Sequence, residues 1–176
     1  MLLHDIAKPL YLTTDEDGCD HFHGHAAGSA EMTDKILRRL KFDKQTRERC
    51  RVLVAWHDTQ LGTDRAGVRH SLSALGSAAF ADLCRVKRAD VEAQSAFKRE
   101  EKLAMIDFWE SEMREILEAG DPLSLKDLAV TGSDLMEAGI PAGKEVGRVL
   151  ARMLEACLDD PSLNERGILL ERYVRK

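Results

Sequence analysis

Apolar positions recur at spacings of three and four residues along most of the chain, which is the pattern of amphipathic helices. The residues on these faces are Met32, Ile36, Leu37 and Leu40, then Phe80, Leu83, Cys84 and Val86, then Leu103, Ile106, Met113, Ile116 and Leu117 in a long charged helix over 97–117. A shorter apolar run over 52–56 predicts a more fully buried helix. No segment alternates as a strand would. We predict an all-α fold, a helical bundle with a small C-terminal helical extension.

Turn signals divide this helical pattern. They stand at Asp17-Gly18, at Leu61-Gly62 and at the cluster 119–122, Ala-Gly-Asp-Pro. The last one predicts a boundary between a helical domain over 1–119, which holds all six histidines, and a glycine-punctuated region over 120–176. Within that region Ser133 or Asp134 is expected to cap a helix, and Pro141 to stand in the first turn of the next.

The composition is that of a globular protein, with 44% hydrophobic and 32% charged residues. No segment reaches the roughly 20 apolar residues that span a bilayer, and the N-terminus has no signal-peptide pattern. We therefore expect a cytoplasmic protein with no membrane partner. Three of the four cysteines, Cys50, Cys84 and Cys157, fall in helical patterns and are expected as small core residues. The net charge of −5 argues against a generally basic surface for nucleic acid.

Residues of metal-ligand type occur at the ends of the predicted helices. They are His4, Asp5, His25, His57, Asp58 and Asp90. Imidazole and carboxylate suit Fe, Mn, Ni, Co or Zn, and added carboxylates or waters extend the range to Mg. A divalent metal held by residues of this kind lowers the pKa of a bound water and could serve phosphoester hydrolysis. Taken singly, each of these histidines is more simply interpreted as a surface or helix-terminal residue than as a metal ligand.

Further polar residues could take part in that chemistry. The candidates for catalysis are Asp5, His57, Asp58, Lys8 and Arg88, and the cations expected to neutralise phosphate charge are Lys8, Arg85, Lys87, Arg88 and Lys98. The loop that holds Cys19, His21, His23 and His25 suggests a separate ion site, because alternate residues of an extended loop point the same way. The interpretation as a solvated loop with His25 as its one functional member is favoured.

The order of these motifs resembles the HD superfamily of metal-dependent phosphohydrolases. It runs Leu-Leu-His-Asp-Ile-Ala-Lys-Pro, then Gly-His, a helix, Trp-His-Asp and Arg-Ala-Asp. The resemblance implies that the His-Asp pair, later histidines and a distal aspartate ligate one or two metals. It also favours His25 over its loop neighbours.

A closer resemblance, over almost the whole chain, is to the HD-containing bacterial CCA-adding tRNA nucleotidyltransferases. The matching stretches after His4-Asp5 are 21–25, Ser29-Ala30, 39–42, 88–90, Ala93-Gln94, 125–128, 132–136, 139–143, Gly147 and 164–166. Two departures stand out. Gly76-Ser77 is not followed by the paired acidic residues of the family's catalytic head, and no histidine-bearing helix precedes His4. We expect no nucleotidyl transfer from this chain alone. The resemblance implies a metal site that is either weakened or held only by His4, Asp5, His25, His57 and Asp90.

The resemblance implies that the C-terminal helices support tRNA. From the residues alone, Gly139 to Gly147 could expose backbone N–H groups to phosphate, and Lys144, Arg148 and Arg152 follow at helical spacing. The competing interpretation makes the glycines caps and the basic residues a solvated face. With 5% aromatic residues, a base-stacking platform is not expected.

Three hypotheses follow. The first is a metal-dependent phosphohydrolase acting on a nucleotide, a phosphomonoester or a 2′,3′-cyclic phosphate. The second is a noncatalytic tRNA-binding fragment of a CCA-adding enzyme whose head is missing. The third is a helical scaffold with a degenerate metal site. An exposed apolar patch of Leu2, Leu3 and Ile6 would favour either a homodimer or a truncated chain.

Overall fold

The computed structural model describes residues 2–174, and helices account for most of them. The α-helices are α1 His25–Arg39, α2 Lys44–Trp56, α3 Arg65–Leu75, α4 Ser77–Ala93, α5 Arg99–Ala119, α6 Gly132–Glu137, α7 Lys144–Asp159 and α8 Arg166–Tyr173. Short 3₁₀ turns stand at Lys8–Leu10, Leu125–Asp127 and Pro161–Leu163. The predicted all-α fold is confirmed.

One small hairpin interrupts the helical pattern. Strands β1 Thr13–Thr14 and β2 Asp20–His21 pair antiparallel, with Thr13 opposite His21. Asp15 closes the turn by accepting from the backbone N–H groups of Asp17 and Cys19. Gly18 has φ +79°, a conformation that glycine adopts without strain. The sequence predicted the turn but not the strands, because two-residue strands are too short to show alternation.

The chain forms two compact units. The first comprises the residues up to Gln60 together with Ala78–Ile106, and the second comprises Leu61–Ser77 and the residues from Asp107 onward. These units are defined by proximity in space, whereas the predicted boundary after residue 119 follows a change in composition. That boundary stays a prediction.

In the first unit α1 packs against α2. Asp43 caps α2 by accepting from the N–H of Thr46. The apolar run over 52–56 does not form the fully buried helix that was predicted, because Val54 is the residue of α2 that is buried and its apolar neighbours are half-buried. The remaining faces of α2 stay open to solvent, which suits its many charged residues.

The second unit is built around α7, which contacts α3, α6 and α8. Its core consists of Leu128, Val130, Leu135, Val149, Met153, Cys157 and Leu169. Two expectations for this part were wrong. Helix α6 is capped by Thr131 in a reciprocal capping box with Asp134, so Asp134 is the third helical residue and Ser133 is not the cap. Helix α7 begins at Lys144, so Pro141 lies in the preceding turn.

Core predictions for single side chains are confirmed in part. Cys84 and Cys157 are buried, while Cys50 is half-buried. Leu40 and Leu117 were expected inside and are 57% and 46% exposed; in α5 the buried stripe runs through Ile106, Trp109 and Ile116 instead. Among the described residues no helix combines the length and the apolar character needed to cross a membrane.

Candidate metal centre

Separate elements of the first unit deliver the ligand-type side chains. His4 and Asp5 lie in the turn before the first 3₁₀ segment, and the backbone N–H of Ala7 donates to the buried Ser29 Oγ on α1 at 3.1 Å. His25 is the first residue of α1, which the chain enters through Gly24 at φ +85°. His57 follows the last turn of α2. Helix ends thus place these groups without breaking backbone hydrogen bonds inside the helices.

These side chains converge on the carboxylate of Asp5. Its Oδ1 lies 3.3 Å from His25 Nε2 and 3.4 Å from His57 Nε2, and its Oδ2 lies 3.2 Å from His4 Nε2. The Nε2 atoms of His25 and His57 are 3.2 Å apart. Asp90 Oδ1 on α4 stands 3.6 Å from His4 Nε2. The structure therefore brings together all five residues predicted as metal ligands.

The other ring nitrogens fix where the protons are. His25 Nδ1 is 2.8 Å from the carbonyl of Phe22, and His57 Nδ1 is 2.7 Å from the carbonyl of Val54. A carbonyl only accepts, so each Nδ1 must carry the proton. In the neutral rings each Nε2 then presents a lone pair. A ligating histidine in proteins is held in the same way, through a hydrogen bond from its second nitrogen.

Three acceptors consequently face one another. The lone pairs of His25 Nε2 and His57 Nε2 point at each other and at Asp5 Oδ1, and that oxygen is buried and accepts no hydrogen bond within the described part of the chain. A proton on one ring relieves part of this repulsion, whereas a divalent cation would satisfy all three atoms. His4, Asp5 and His57 also have ligand atoms that all lie within 4.8 Å of one another.

Electrostatics keep Asp5 in its charged form. Partial burial raises the pKa of its carboxyl, but the hydrogen bond from Lys8 Nζ at 2.7 Å and the charges of His4, Lys8 and His57 outweigh that effect, so the pKa lies below its ordinary value. Asp5 is therefore an anion at neutral pH, as a carboxylate ligand must be.

An open cavity of about 400 Å³ stands over the cluster. Besides the five ligand-type residues, its lining includes Lys8, Asp58, His21, His23 and Gln94. Asp58 is exposed at its rim. The volume is within the range of small-molecule sites. The lining is strongly polar, which suits a charged ligand such as a phosphoester.

Other predicted residues lie elsewhere. Arg85, Arg88 and Lys98 do not line this cavity. The Nζ of Lys87 donates to the carbonyl of His57 at 2.7 Å. Burial lowers the pKa of Lys87, although Asp58, Cys84 and Asp90 act in the opposite direction. Lys87 thus supports the backbone that carries His57, and the phosphate-neutralising roles given to these cations stay predictions.

The hairpin loop forms no separate group of ligands among residues 2–174. His21 Nε2 pairs with Asp15 at 2.8 Å, and the rings of His21 and His23 stack 5.4 Å apart. Cys19 is exposed. Of this loop, His25 lies 3.3 Å from Asp5, and its role as the one functional member of the loop stays a prediction.

Sequence reasoning missed the residues that support the cluster. Ser29 Oγ, the carbonyls of Phe22 and Val54, and the amine of Lys87 hold the ligand-bearing turns in place. Ser29 was noticed only as part of a family resemblance. Backbone carbonyls carry no signal in a sequence, so their role is visible only in the structure.

Comparison with known proteins relates most of the chain to tRNA nucleotidyltransferases. The family described as tRNA nucleotidyltransferase domain 2 matches residues 21–172. An A-adding tRNA nucleotidyltransferase of Deinococcus radiodurans is 31% identical over 157 residues, which are 88% of this chain and 36% of that protein. A CC-adding tRNA nucleotidyltransferase of Thermus thermophilus is 34% identical over 159 residues, 88% of this chain and 34% of that protein. No solved structure matches. The chain spans about a third of the length of these relatives.

Proposed function

Because the chain belongs to the tRNA nucleotidyltransferase domain 2 family, we propose that it binds tRNA in a nucleotide-adding system without carrying the transfer chemistry itself. The observation that supports this function is the match over residues 21–172, which spans both compact units. Gly76-Ser77 is not followed by paired acidic residues of the kind that hold Mg²⁺ in the transferase head. A tRNA substrate would also place the protein in the cytoplasm.

Binding of labelled tRNA, measured by fluorescence anisotropy from 50 to 300 mM salt, tests this function. We expect tRNA to bind more tightly than an unstructured RNA of equal length at every salt concentration. The logarithm of the binding constant should fall with the logarithm of the salt concentration, since phosphate contacts release counterions. Equal affinity for the two RNAs, or no binding at 50 mM salt, would contradict the proposal.

A second function is favoured by the cluster around Asp5. We propose that it is an HD-type divalent metal centre, one that hydrolyses nucleotides, phosphomonoesters or 2′,3′-cyclic phosphates. Support comes from the three acceptor atoms that face one another without a donor. His4, Asp5, His25, His57 and Asp90 would hold the ion. The donor set fits Mn, Fe, Co, Ni or Zn more closely than Mg, because three of the five groups are imidazoles.

An ion bound there would supply Lewis acidity towards a phosphoryl oxygen and make a water more acidic. The chain itself provides the surrounding charges. Lys8 Nζ, which is half-buried beside Asp5, can neutralise a phosphate oxygen that enters the cavity. Asp58 at the rim is placed to accept a proton from a water.

Metal binding and turnover should be measured separately. Calorimetric titration with Mn²⁺, Ni²⁺ and Co²⁺ is expected to show one strong site that Asp5→Asn and His57→Gln abolish. The matched control is His70→Gln, which removes a histidine of the second unit that pairs with Asp159. Hydrolysis of 2′,3′-cyclic AMP and of a generic phosphomonoester should require the metal and be lost in the same two variants.

The outcomes separate three readings of the cluster. Metal binding with turnover supports the phosphohydrolase. Metal binding that raises the melting temperature without turnover would make the ion structural. No binding of any of the three metals would refute the centre and leave tRNA binding, or a helical scaffold for a partner, as the function of this unit.

A further inference from the structure

One aromatic ring at the end of α8 lies beside two arginines. The guanidinium carbon of Arg152 on α7 is 5.4 Å from the centroid of the Tyr173 ring, and that of Arg172 is 5.9 Å from it. Both distances are within the range of cation–π attraction. Tyr173 is half-buried and packs against the core of the second unit, so its position is fixed. The ring thereby holds two exposed cations near each other.

The two positive charges are not neutralised by ion pairs. Within the described part of the chain neither guanidinium lies at ion-pair distance from a carboxylate, whereas the neighbouring Arg148 on α7 pairs with Glu145. Hydrogen bonds from Ser162 lower the pKa of Asp160, and the charge of Arg172 contributes to the same shift with a smaller effect. An anion placed between the two guanidiniums would relieve their mutual repulsion. A guanidinium is more weakly hydrated than an ammonium group, so less water has to be displaced from these side chains.

The sequence around this pair is basic although the whole chain is acidic. Residues 166–176 contain four Lys and Arg and one Glu, against a net charge of −5 for the protein. On α7, Lys144 precedes Arg152 by two helical turns, and Arg148 between them pairs with Glu145. Lys144, Arg152 and Arg172 are separate cations, an arrangement that suits a chain of phosphates better than a single phosphate ion.

From this arrangement we infer that Arg152, Arg172 and Tyr173 form a contact site for the phosphodiester backbone of RNA. The inference rests on the proposed tRNA binding and adds the surface that carries it. Planar guanidiniums bind phosphate through paired hydrogen bonds, and the ring holds them ready for that geometry. The site would read backbone and shape and would not distinguish bases.

Substitution of both arginines tests the site. Arg152→Gln with Arg172→Gln should lower the slope of log K against log salt by about 2, because each lost phosphate contact accounts for about 0.9. At 0.1 M salt the same relation predicts that tRNA affinity falls roughly eightfold for each phosphate contact that is removed. The charge-matched control, Arg39→Gln with Arg114→Gln, removes two exposed arginines that have no carboxylate partner among the described residues, and should change tRNA affinity less than threefold.

The role of the ring has its own test. Tyr173→Phe keeps the π face and should bind tRNA as the wild type does, whereas Tyr173→Leu keeps apolar packing, frees the guanidiniums and should bind several-fold more weakly. Melting temperatures of all variants show whether each protein is folded at the assay temperature.

Several results would overturn the inference while leaving tRNA binding intact. They are an unchanged salt slope in the double arginine variant, an equal loss in the control pair, and a poly-glutamate peptide that competes with tRNA at equal charge concentration. If the wild type binds no tRNA, both this site and the proposed function are refuted.

Discussion

Replacing Gly28 with alanine should push the ring of Tyr11 off the face of α1. A Cβ built on Gly28 would lie 2.5 Å from Cε2 and 2.7 Å from Oη of Tyr11, and the three nearest atoms all belong to that ring. The ring also rests near Gly24, where a Cβ would meet its Cε1 at 3.3 Å. Tyr11 thus occupies the space that two glycines leave at the start of α1, next to His25.

The magnitude follows from two opposing effects. To restore ordinary contact the ring must move by roughly 1 Å. Overpacking in a closed core costs about 1–3 kcal/mol, and the 36% exposure of Tyr11 places the cost here towards the lower end of that range. Alanine is favoured over glycine inside a helix by roughly 1 kcal/mol, which offsets part of that cost. We therefore expect Gly28→Ala to lower the free energy of unfolding by about 0–2 kcal/mol. In a Tyr11→Ala background the clash is absent, and Gly28→Ala should raise the free energy of unfolding by about 1 kcal/mol.

The change of sign is the decisive result. Urea unfolding of the wild type, the two single variants and the double variant gives a coupling free energy, expected at about 1–3 kcal/mol. Ala27→Gly, at the exposed neighbouring position of α1, measures the helix propensity independently. A coupling energy near zero would refute the reasoning, since it would mean that Tyr11 does not rest on Gly28 in solution.

Two further predictions concern the second unit. Arg69→Leu should lower the free energy of unfolding by about 3–5 kcal/mol in urea titrations, because it strands the carboxylate of Asp121 and two carbonyl oxygens at the end of α7; a loss below about 1 kcal/mol would contradict that role. Hydrogen bonds from Thr131 and Arg166 lower the pKa of Asp134 from 3.8 to about 2, so its charge stabilises the fold above pH 4 and this contribution disappears as the pH falls through 2. The melting-temperature deficit of Asp134→Asn should therefore be largest near neutral pH and shrink towards pH 2, and a deficit independent of pH would contradict it.

The candidate ligands could be named because side-chain chemistry is visible in a sequence and because the order of the motifs resembles a known family. His4, Asp5, His25, His57 and Asp90 carry ligand-type atoms, and whether they bind a metal stays a prediction. Their convergence into one cavity is a tertiary fact that only the structure supplies. The same holds for proton positions, which depend on the carbonyls that face each ring.

Other features could not be predicted for definite physical reasons. Helix α3 contains the buried Arg69, and a lone arginine in a helical pattern reads as a surface residue until its three oxygen partners are known. The cap of α6 was placed too late because Thr131, Ser133 and Asp134 can all cap a helix, and only backbone geometry distinguishes them. The hairpin was missed because its strands are held by its turn and not by a pattern of their own.

The two proposed sites differ in the charge of the ligand that each would bind, so separate variants can test them independently. The Asp5 cluster needs a cation, because its buried acceptors have no donor to face. The pair Arg152 and Arg172 needs an anion, because its charges have no carboxylate at ion-pair distance among residues 2–174. Asp5→Asn should therefore abolish metal binding and leave the salt dependence of tRNA binding unchanged. The double arginine variant should lower that salt dependence and leave metal binding unchanged. If either variant alters both properties, the sites are energetically coupled, and tRNA and metal must then change each other's affinity by the same factor.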